Sequence, residues 1–488
     1  MLAKLQQHIA PPAATDLRRH THILFILPPA GQISRQWPAA DVLVTLLKRR
    51  NAKLADLEKT PMSATLDGGT LATWMMLAAD KASFELNAAL RAGLQTLLTE
   101  NPRDIALAVF GSEAQRARAA RLVVYGAWVN GAVLPERKKA PVRKPLQSIS
   151  LYGYHDKEGY AAERACASGN VLCRELTVLP PNELTPALYR KRLRTLAREQ
   201  GWRRREYGYA ELRKIGAGAF CAVAQGSADA DAAIVHLRYA PARARFNAAL
   251  VGKGICFDTG GHNLKPARYM YSMHEDMNGS AVALGILLGA TQRKLPIAID
   301  CWLALAQNHI SPAGYKQNDV VTALNGTSIE VMHTDAEGRM VLADTLTLAS
   351  RVRPDLIVDF ATLTGTMHMA LGGRYSGIFA TSDELGQQAV AAGRRSGERV
   401  CAFPADADYD GGLDSAIADV KQCSLDSEAD HILATRFLGR FTAGLPWIHV
   451  DLSASNCKGG LGAVASDVTG FGVAWGLALV EDIMTRKS

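Results

Sequence analysis

The chain has 488 residues, of which 48% are hydrophobic, 21% charged and 7% aromatic. An apolar fraction of that size can build a core, which excludes a mainly disordered or collagen-like chain. The length predicts two or three domains, since single cores rarely grow beyond about 250–300 residues. The net charge of +8 is unevenly spread: residues 1–150 carry 20 basic and 11 acidic side chains, whereas the remainder carries 35 and 36.

The eight cysteines are scattered along the chain, which excludes a disulfide framework and a thiolate zinc site and points to reduced thiols. No apolar run approaches the ~20 residues of a membrane helix. The run Ile23–Leu27, closed by Pro28-Pro29, reads as a buried strand rather than a secretory signal. A soluble, cytoplasmic protein without a membrane partner is expected.

Residues 1–145 are predicted to form a basic N-terminal α/β domain without a chemical motif. Short apolar runs (His22–Leu27, Val42–Leu47, Ile105–Phe110, Leu122–Trp128) read as strands there, alternating with Ala-rich, helix-like stretches (Leu71–Ala79, Ala88–Leu98). Pro135–Pro145 holds three prolines and five basic residues and reads as an exposed linker. Nucleic-acid contact is the alternative for that patch, although no aromatic residues interleave.

Residues 146–488 are predicted to form a larger catalytic domain. Phe246–Lys253, Pro296–Leu305, Ser328–Thr334 and Leu356–Thr362 are strand-like, and Gly279–Gln292 and Met340–Val352 are helix-like. Strands alternating with helices imply a doubly wound, mostly parallel mixed sheet, with ligands beyond the carboxyl ends of its strands.

The unusual charges cluster in two segments. Val251-Gly-Lys-Gly-Ile-Cys-Phe-Asp-Thr-Gly-Gly-His-Asn-Leu-Lys265 supplies Lys253, Asp258 and Lys265, with Asp276 following before the helix-like stretch. His333-Thr-Asp-Ala-Glu-Gly-Arg339 supplies Asp335, Glu337 and Arg339, predicted to alternate on one face of an extended stretch. Four carboxylates (Asp258, Asp276, Asp335, Glu337) at one sheet edge would repel unless cations neutralise them, as in two-metal hydrolytic sites. On residue chemistry alone, a solvated strand end with a salt bridge remains the other reading of the second segment. No His-Glu-x-x-His, P-loop or Gly-x-Ser-x-Gly frame competes with them.

With Asn170–Leu176, Pro181–Pro186, Ala222–Ser227, Ala361–Gly365, Trp447–Asp451 and Thr469–Val473, these segments resemble the leucine aminopeptidase (cytosol aminopeptidase) family of two-metal exopeptidases. The resemblance implies one divalent ion on Lys253, Asp258, Asp276 and Glu337, and a second on Asp258, Asp335 and Glu337, with zinc or manganese as the ions. It implies that Lys265 stabilises the tetrahedral intermediate. It also implies that Arg339 holds a bicarbonate general base, assisted by the backbone of Ala336, Gly338 and Leu363. Met273, Thr362 and Gly365 fall where relatives line the pocket for the first side chain. Peptide substrates and a homohexamer follow from the same likeness. His333, His274, Asn278 and Ser453-Ala454 depart from the family's usual residues; His333 and Asn278 are expected to narrow or polarise the pocket, with His333 on the leaving-residue side. A DNA-binding or regulatory role and restriction to dipeptides stand as the alternatives.

Overall fold

The computed structural model describes residues 2–78, 80–140, 143–227, 231–426 and 428–487. The chain divides into two compact units: Met1–Val171 with Arg394–Gly397 and Cys457–Thr469, and Leu172–Gly393 with Glu398–Asn456 and Gly470–Ser488.

The first unit is built on strands β1 (Lys4–His8), β2 (His22–Leu27), β3 (Met62–Thr65), β4 (Leu71–Met76), β5 (Asp104–Val109) and β6 (Ser148–Tyr152). They form one six-stranded sheet in the order β1-β6-β5-β2-β4-β3, parallel except for the β3/β4 pair. Because β6 sits between β1 and β5, this unit continues beyond residue 145, where charge and proline content had suggested a boundary. The basic segment is a surface loop inside the unit: Arg137–Ala140 and Arg143–Pro145 are exposed, and Pro141 and Val142 lie outside the described residues.

Three short segments differ from the sequence expectation. Val42–Leu47 belongs to the helix Ala40–Arg49, which buries Leu43, Leu46 and Leu47 on one face and carries Lys48 and Arg49 in its last turn. Those cations suit the negative end of the helix dipole. Leu122–Trp128 belongs to the helix Glu113–Gly131, opened by Ser112, whose hydroxyl accepts from the Gln115 amide. The Ala-rich Leu71–Ala79 is instead strand β4, buried from Ala72 to Met76, with Ala79 outside the described residues. Apolar runs this short suit strand and helix equally, and tertiary packing decides.

The second unit carries β7 (Arg203–Gly208), β8 (Ala233–Tyr239), β9 (Asn247–Asp258), β10 (Ala298–Asn308), β11 (Val320–Thr322), β12 (Ser328–Glu330), β13 (Leu356–Ala361), β14 (Ser376–Ala380), β15 (Val400–Ala402), β16 (Val420–Lys421) and β17 (Trp447–Asp451). Eight of them form a mixed sheet in the order β15-β14-β17-β13-β9-β10-β8-β7. The four central strands β17, β13, β9 and β10 run parallel, and antiparallel pairs flank them. This is the α/β, mostly parallel mixed sheet expected from the sequence. Strands β11, β12 and β16 form a small separate sheet.

The helix Asn278–Gln292 packs on β9, β10 and β13 beside the helix Val473–Lys487. The helix Glu337–Ser350 packs on the same strands beside Gly218–Ala224 and Asp430–Gly439. Alternation along β9 sorts its side chains between these layers. Ala249, Val251 and Ile255 join the core built by Met340–Ala349. Gly252 backs onto the other helix so closely that a Cβ there would lie 2.5 Å from Ser280 Cα. Lys253, in phase with Val251 and Ile255, therefore turns toward Glu337. No disulfide joins any of the eight cysteines. Among the described residues no helix is long and apolar enough to cross a membrane.

Candidate active site

The chain leaves β9 at Asp258 and returns β10 alongside it, ending at Asn308, which is paired with Asp258 in the sheet register. Asn308 Nδ2 donates to Asp258 Oδ1 at 2.8 Å and to the Thr334 carbonyl at 3.0 Å. A tight turn follows Asp258, with Gly260 and Gly261 at φ +85° and +66°, a region that favours glycine. The Gly260 amide donates back to Asp258 Oδ1 at 2.9 Å. Thr334 and Asn263 lock the two motif loops reciprocally: each backbone amide donates to the other's side-chain oxygen at 2.8 Å. That lock sets Asp335 opposite Asp258.

Asp335, Glu337 and Arg339 do not share an extended face, contrary to the sequence expectation. The chain turns at Ala336 and the helix begins at Glu337. Two residues along a helix turn the side chain by roughly 200°, so Glu337 and Arg339 point apart. Glu337 faces Lys253. Arg339, only 2% exposed, turns away to Asp430, both of whose carboxylate oxygens accept from Nη2 at 2.8 and 2.9 Å. Arg339 Nη1 donates to the Gln422 carbonyl at 3.1 Å.

The remaining predicted charges converge. Lys253 Nζ lies 2.8 Å from Asp276 Oδ2 and 2.9 Å from Glu337 Oε1, and it donates to the Thr362 carbonyl at 3.0 Å. Lys265 Nζ lies 2.9 Å from Asp258 Oδ2 and 2.5 Å from Asp335 Oδ1. Gly338 leaves room for Lys253: a Cβ there would stand 2.7 Å from Nζ. Ligand atoms of Asp258, Asp335 and Glu337 all lie within 4.8 Å of one another. Oε1 of Glu337, Oδ2 of Asp276 and Oδ1 of Asp335 are met by the lysine ammonium groups, and Oε2 of Glu337 is buried without a hydrogen-bond partner.

The electrostatics follow from that crowding. Burial, reinforced by neighbouring carboxylates, raises the pKa values of Asp276, Asp335 and Glu337 above the usual carboxylate range. Burial alone would discharge Lys253, but Asp276, Glu337 and Asp258 outweigh it and raise its pKa. Lys265 behaves likewise between Asp258, Glu337 and Asp335. Four carboxylates face two ammonium groups in a mostly buried space, and Glu337 Oε2 is left without a partner. That donor set fits hard divalent cations, which accept oxygen ligands and offset the excess negative charge.

The pocket residues gather around this cluster. Thr362 Oγ1 donates to Asp276 Oδ1 at 2.6 Å, and the Leu363 amide donates to Asp451 Oδ1 at 3.1 Å. Gly365 opens the helix Gly365–Leu371 with free space where a Cβ would stand. Met273 lies in the short helical segment preceding Asp276. The Ala336 carbonyl accepts from Gln422 Nε2 at 2.9 Å. His333 Nδ1 accepts from the Asp335 amide at 3.3 Å. Burial and the charges of Lys265 and Arg339 lower the His333 pKa, with Asp430 opposing, which favours the neutral imidazole. Asn278, expected near the pocket, is fully buried, and its Nδ2 donates to Thr177 Oγ1 at 3.0 Å.

Sequence reasoning missed Asn263, Asn308, Thr334, Gln422, Asp430 and Asp451 as site-building residues. Thr334 and Asn263 stand inside the quoted motifs, so their positions were a usable signal. Asn308, Gln422 and Asp430 are lone polar residues with no local pattern.

Comparison with known proteins agrees with this geometry. Residues 171–475 match the cytosol aminopeptidase family, catalytic domain. A probable cytosol aminopeptidase of Acidovorax sp. (strain JS42) is 36% identical over 463 residues, spanning 93% of this chain and 90% of that protein. Another, from Stutzerimonas stutzeri (strain A1501), is 41% identical over 324 residues, 65% of each chain. Among solved structures, the bottromycin maturation enzyme BotP in complex with Mn superposes with a TM-score of 0.83 at 30% identity, covering 95% of this chain and 99% of that one. The chain belongs to the cytosol aminopeptidase family and is a metallo-exopeptidase.

Proposed function

We propose that this protein releases the N-terminal residue of short peptides at a centre of two divalent ions. Lys253, Asp258, Asp276, Asp335 and Glu337 would hold these ions. The observation that carries this reading is the buried convergence of four carboxylates on only two ammonium groups, with one oxygen of Glu337 left without a partner. Manganese is named with the similar BotP structure and suits an oxygen-rich donor set. When bound, the ions supply Lewis acidity and an activated water at neutral pH.

The chain's own residues do the rest. Lys253 is held charged by the carboxylates that would become ligands, and it would have to give up its proton to serve as a ligand itself. Lys265, between Asp258 and Asp335, keeps its proton and donates to the developing oxyanion of the scissile carbonyl. Thr362 fixes Asp276, and the open space at Gly365, with Met273, receives the first side chain. The substrate's free N-terminal amine would be a further ligand, which would restrict cleavage to N-terminal residues. Bicarbonate does not fit the arrangement at Arg339, whose guanidinium is already engaged by Asp430.

The test is release of leucine from a leucyl dipeptide by protein reconstituted with Mn²⁺, set against the N-acetylated dipeptide. Expected are turnover of the free-amine substrate alone, its loss with a chelator, and two ions per chain by elemental analysis. Turnover that persists after complete chelation, or equal cleavage of the acetylated peptide, would overturn the reading.

A further inference from the structure

We infer that Asp430 closes Arg339 from within the chain, standing in for the bicarbonate that the family resemblance places there, so that hydrolysis needs no added anion. The inference rests on the aminopeptidase reading above. Arg339 is buried, and its donors are distributed: Nη2 to both oxygens of Asp430, Nη1 to the Gln422 carbonyl. Nε has no partner, and the Nη2 that would share a fork with it is held by both oxygens of Asp430. A free anion gripped in the usual fork needs two adjacent N–H groups, and Nε has no free neighbour left to share one with.

Asp430 is also hard to displace. It is the first residue of the helix Asp430–Gly439, where the positive end of the helix dipole favours a carboxylate. Its side chain is only 20% exposed. Being tethered, it competes with free bicarbonate at an effective concentration of roughly millimolar or higher. Its charge, like those of Lys265 and Arg339, is felt at His333. Asp430 therefore keeps a negative charge on the Arg339 guanidinium. It acts as a positioning residue for Arg339.

Chemical rescue tests this. In carbon-dioxide-free buffer, Mn²⁺-loaded wild-type protein should show less than about twofold change in kcat as bicarbonate is raised to millimolar levels. Asp430→Gly should lose about tenfold or more in kcat and regain most of it on adding bicarbonate, with little change in KM. Asp430→Asn preserves shape without charge and serves if the glycine variant fails to fold. Binding gives a readout independent of turnover. Isotopically labelled bicarbonate should broaden in NMR spectra with the loaded Asp430 variant and not with the loaded wild type. Bicarbonate binding to the wild type or activation of it by about fivefold or more, or loss in the variant without rescue, overturns the inference. So does a variant with unchanged kcat. A wild type inactive on every peptide would instead refute the aminopeptidase reading, while the binding comparison would still decide the role of Asp430.

Discussion

Both units lay helices over a largely parallel sheet, and they differ in what stands at the carboxyl ends of neighbouring strands. In the first, β2 ends at Leu27, β4 at Met76 and β5 at Val109. The cavity of about 190 Å³ beside them is lined by Ile26, Leu27, Pro28, Leu77 and Phe110, with Gln115 and Arg118 as its polar groups. In the second, β9 ends at Asp258, β10 at Asn308, and β13 runs directly into Thr362. The architecture brings strand ends together in both cases; the residues at and just beyond those ends decide whether the edge carries charge.

The sharpest way to break that contrast is to exchange the charges. On the proposed reading, in which Asp335 would hold a metal ion and Lys265 the developing oxyanion, Asp335→Asn or Lys265→Ala should lower kcat/KM for leucine p-nitroanilide by about a hundredfold to a thousandfold. Arg118→Ala, in the first unit's cavity, should leave kcat/KM within about twofold. A comparable loss there would show that this cavity also serves the reaction.

Stability separates the sheets next. In the second unit Asp359 is buried and accepts from Trp447 Nε1 at 2.6 Å and His449 Nδ1 at 2.7 Å. Removing it strands a buried histidine, so Asp359→Ala should cost about 3–5 kcal/mol in urea unfolding.

A pH effect comes third. Burial raises the Asp344 pKa from 3.8 to about 6, against hydrogen bonds donated by the amides of Phe220 and Leu324. The folded state thus binds this proton more tightly than the unfolded chain. Its contribution to stability is complete below about pH 4 and is lost as pH rises through 6. The stability difference between wild type and Asp344→Asn should shift by up to about 3 kcal/mol between pH 4 and 7, in favour of the variant at the higher pH.

The smallest effect belongs to an uncharged buried contact in the first sheet. Thr73 Oγ1 shares hydrogen bonds of 2.8 Å with Ser63 and Thr96. Thr73→Val should cost about 1 kcal/mol. A loss as large as that of Asp359→Ala would erase the distinction between the two sheets.

How far the sequence foretold this depends on how local each signal is. The apolar runs before Lys253 and from Leu356 marked β9 and β13, because strands buried on both faces read as continuous hydrophobic stretches. The end of β9 was hidden, since Gly252, Lys253, Gly254 and Asp258 look like a loop until packing is known. The helical start at Glu337 was hidden by the alternating charges of Asp335, Glu337 and Arg339, which mimic a strand. Asp430 was illegible: it meets Arg339 across 91 residues of chain.

The Thr334–Asn263 lock joins residues 71 positions apart, with the whole of β10 between them in the chain. Closing so long a loop costs entropy that only the finished sheet offsets. A chain emerging from the ribosome would display Lys253, Asp258, Lys265 and Asp276 well before Asp335 and Glu337 could meet them. Hydrolytic capacity thus arrives late in folding, and an unfinished copy of this peptidase is no threat to the nascent chains around it.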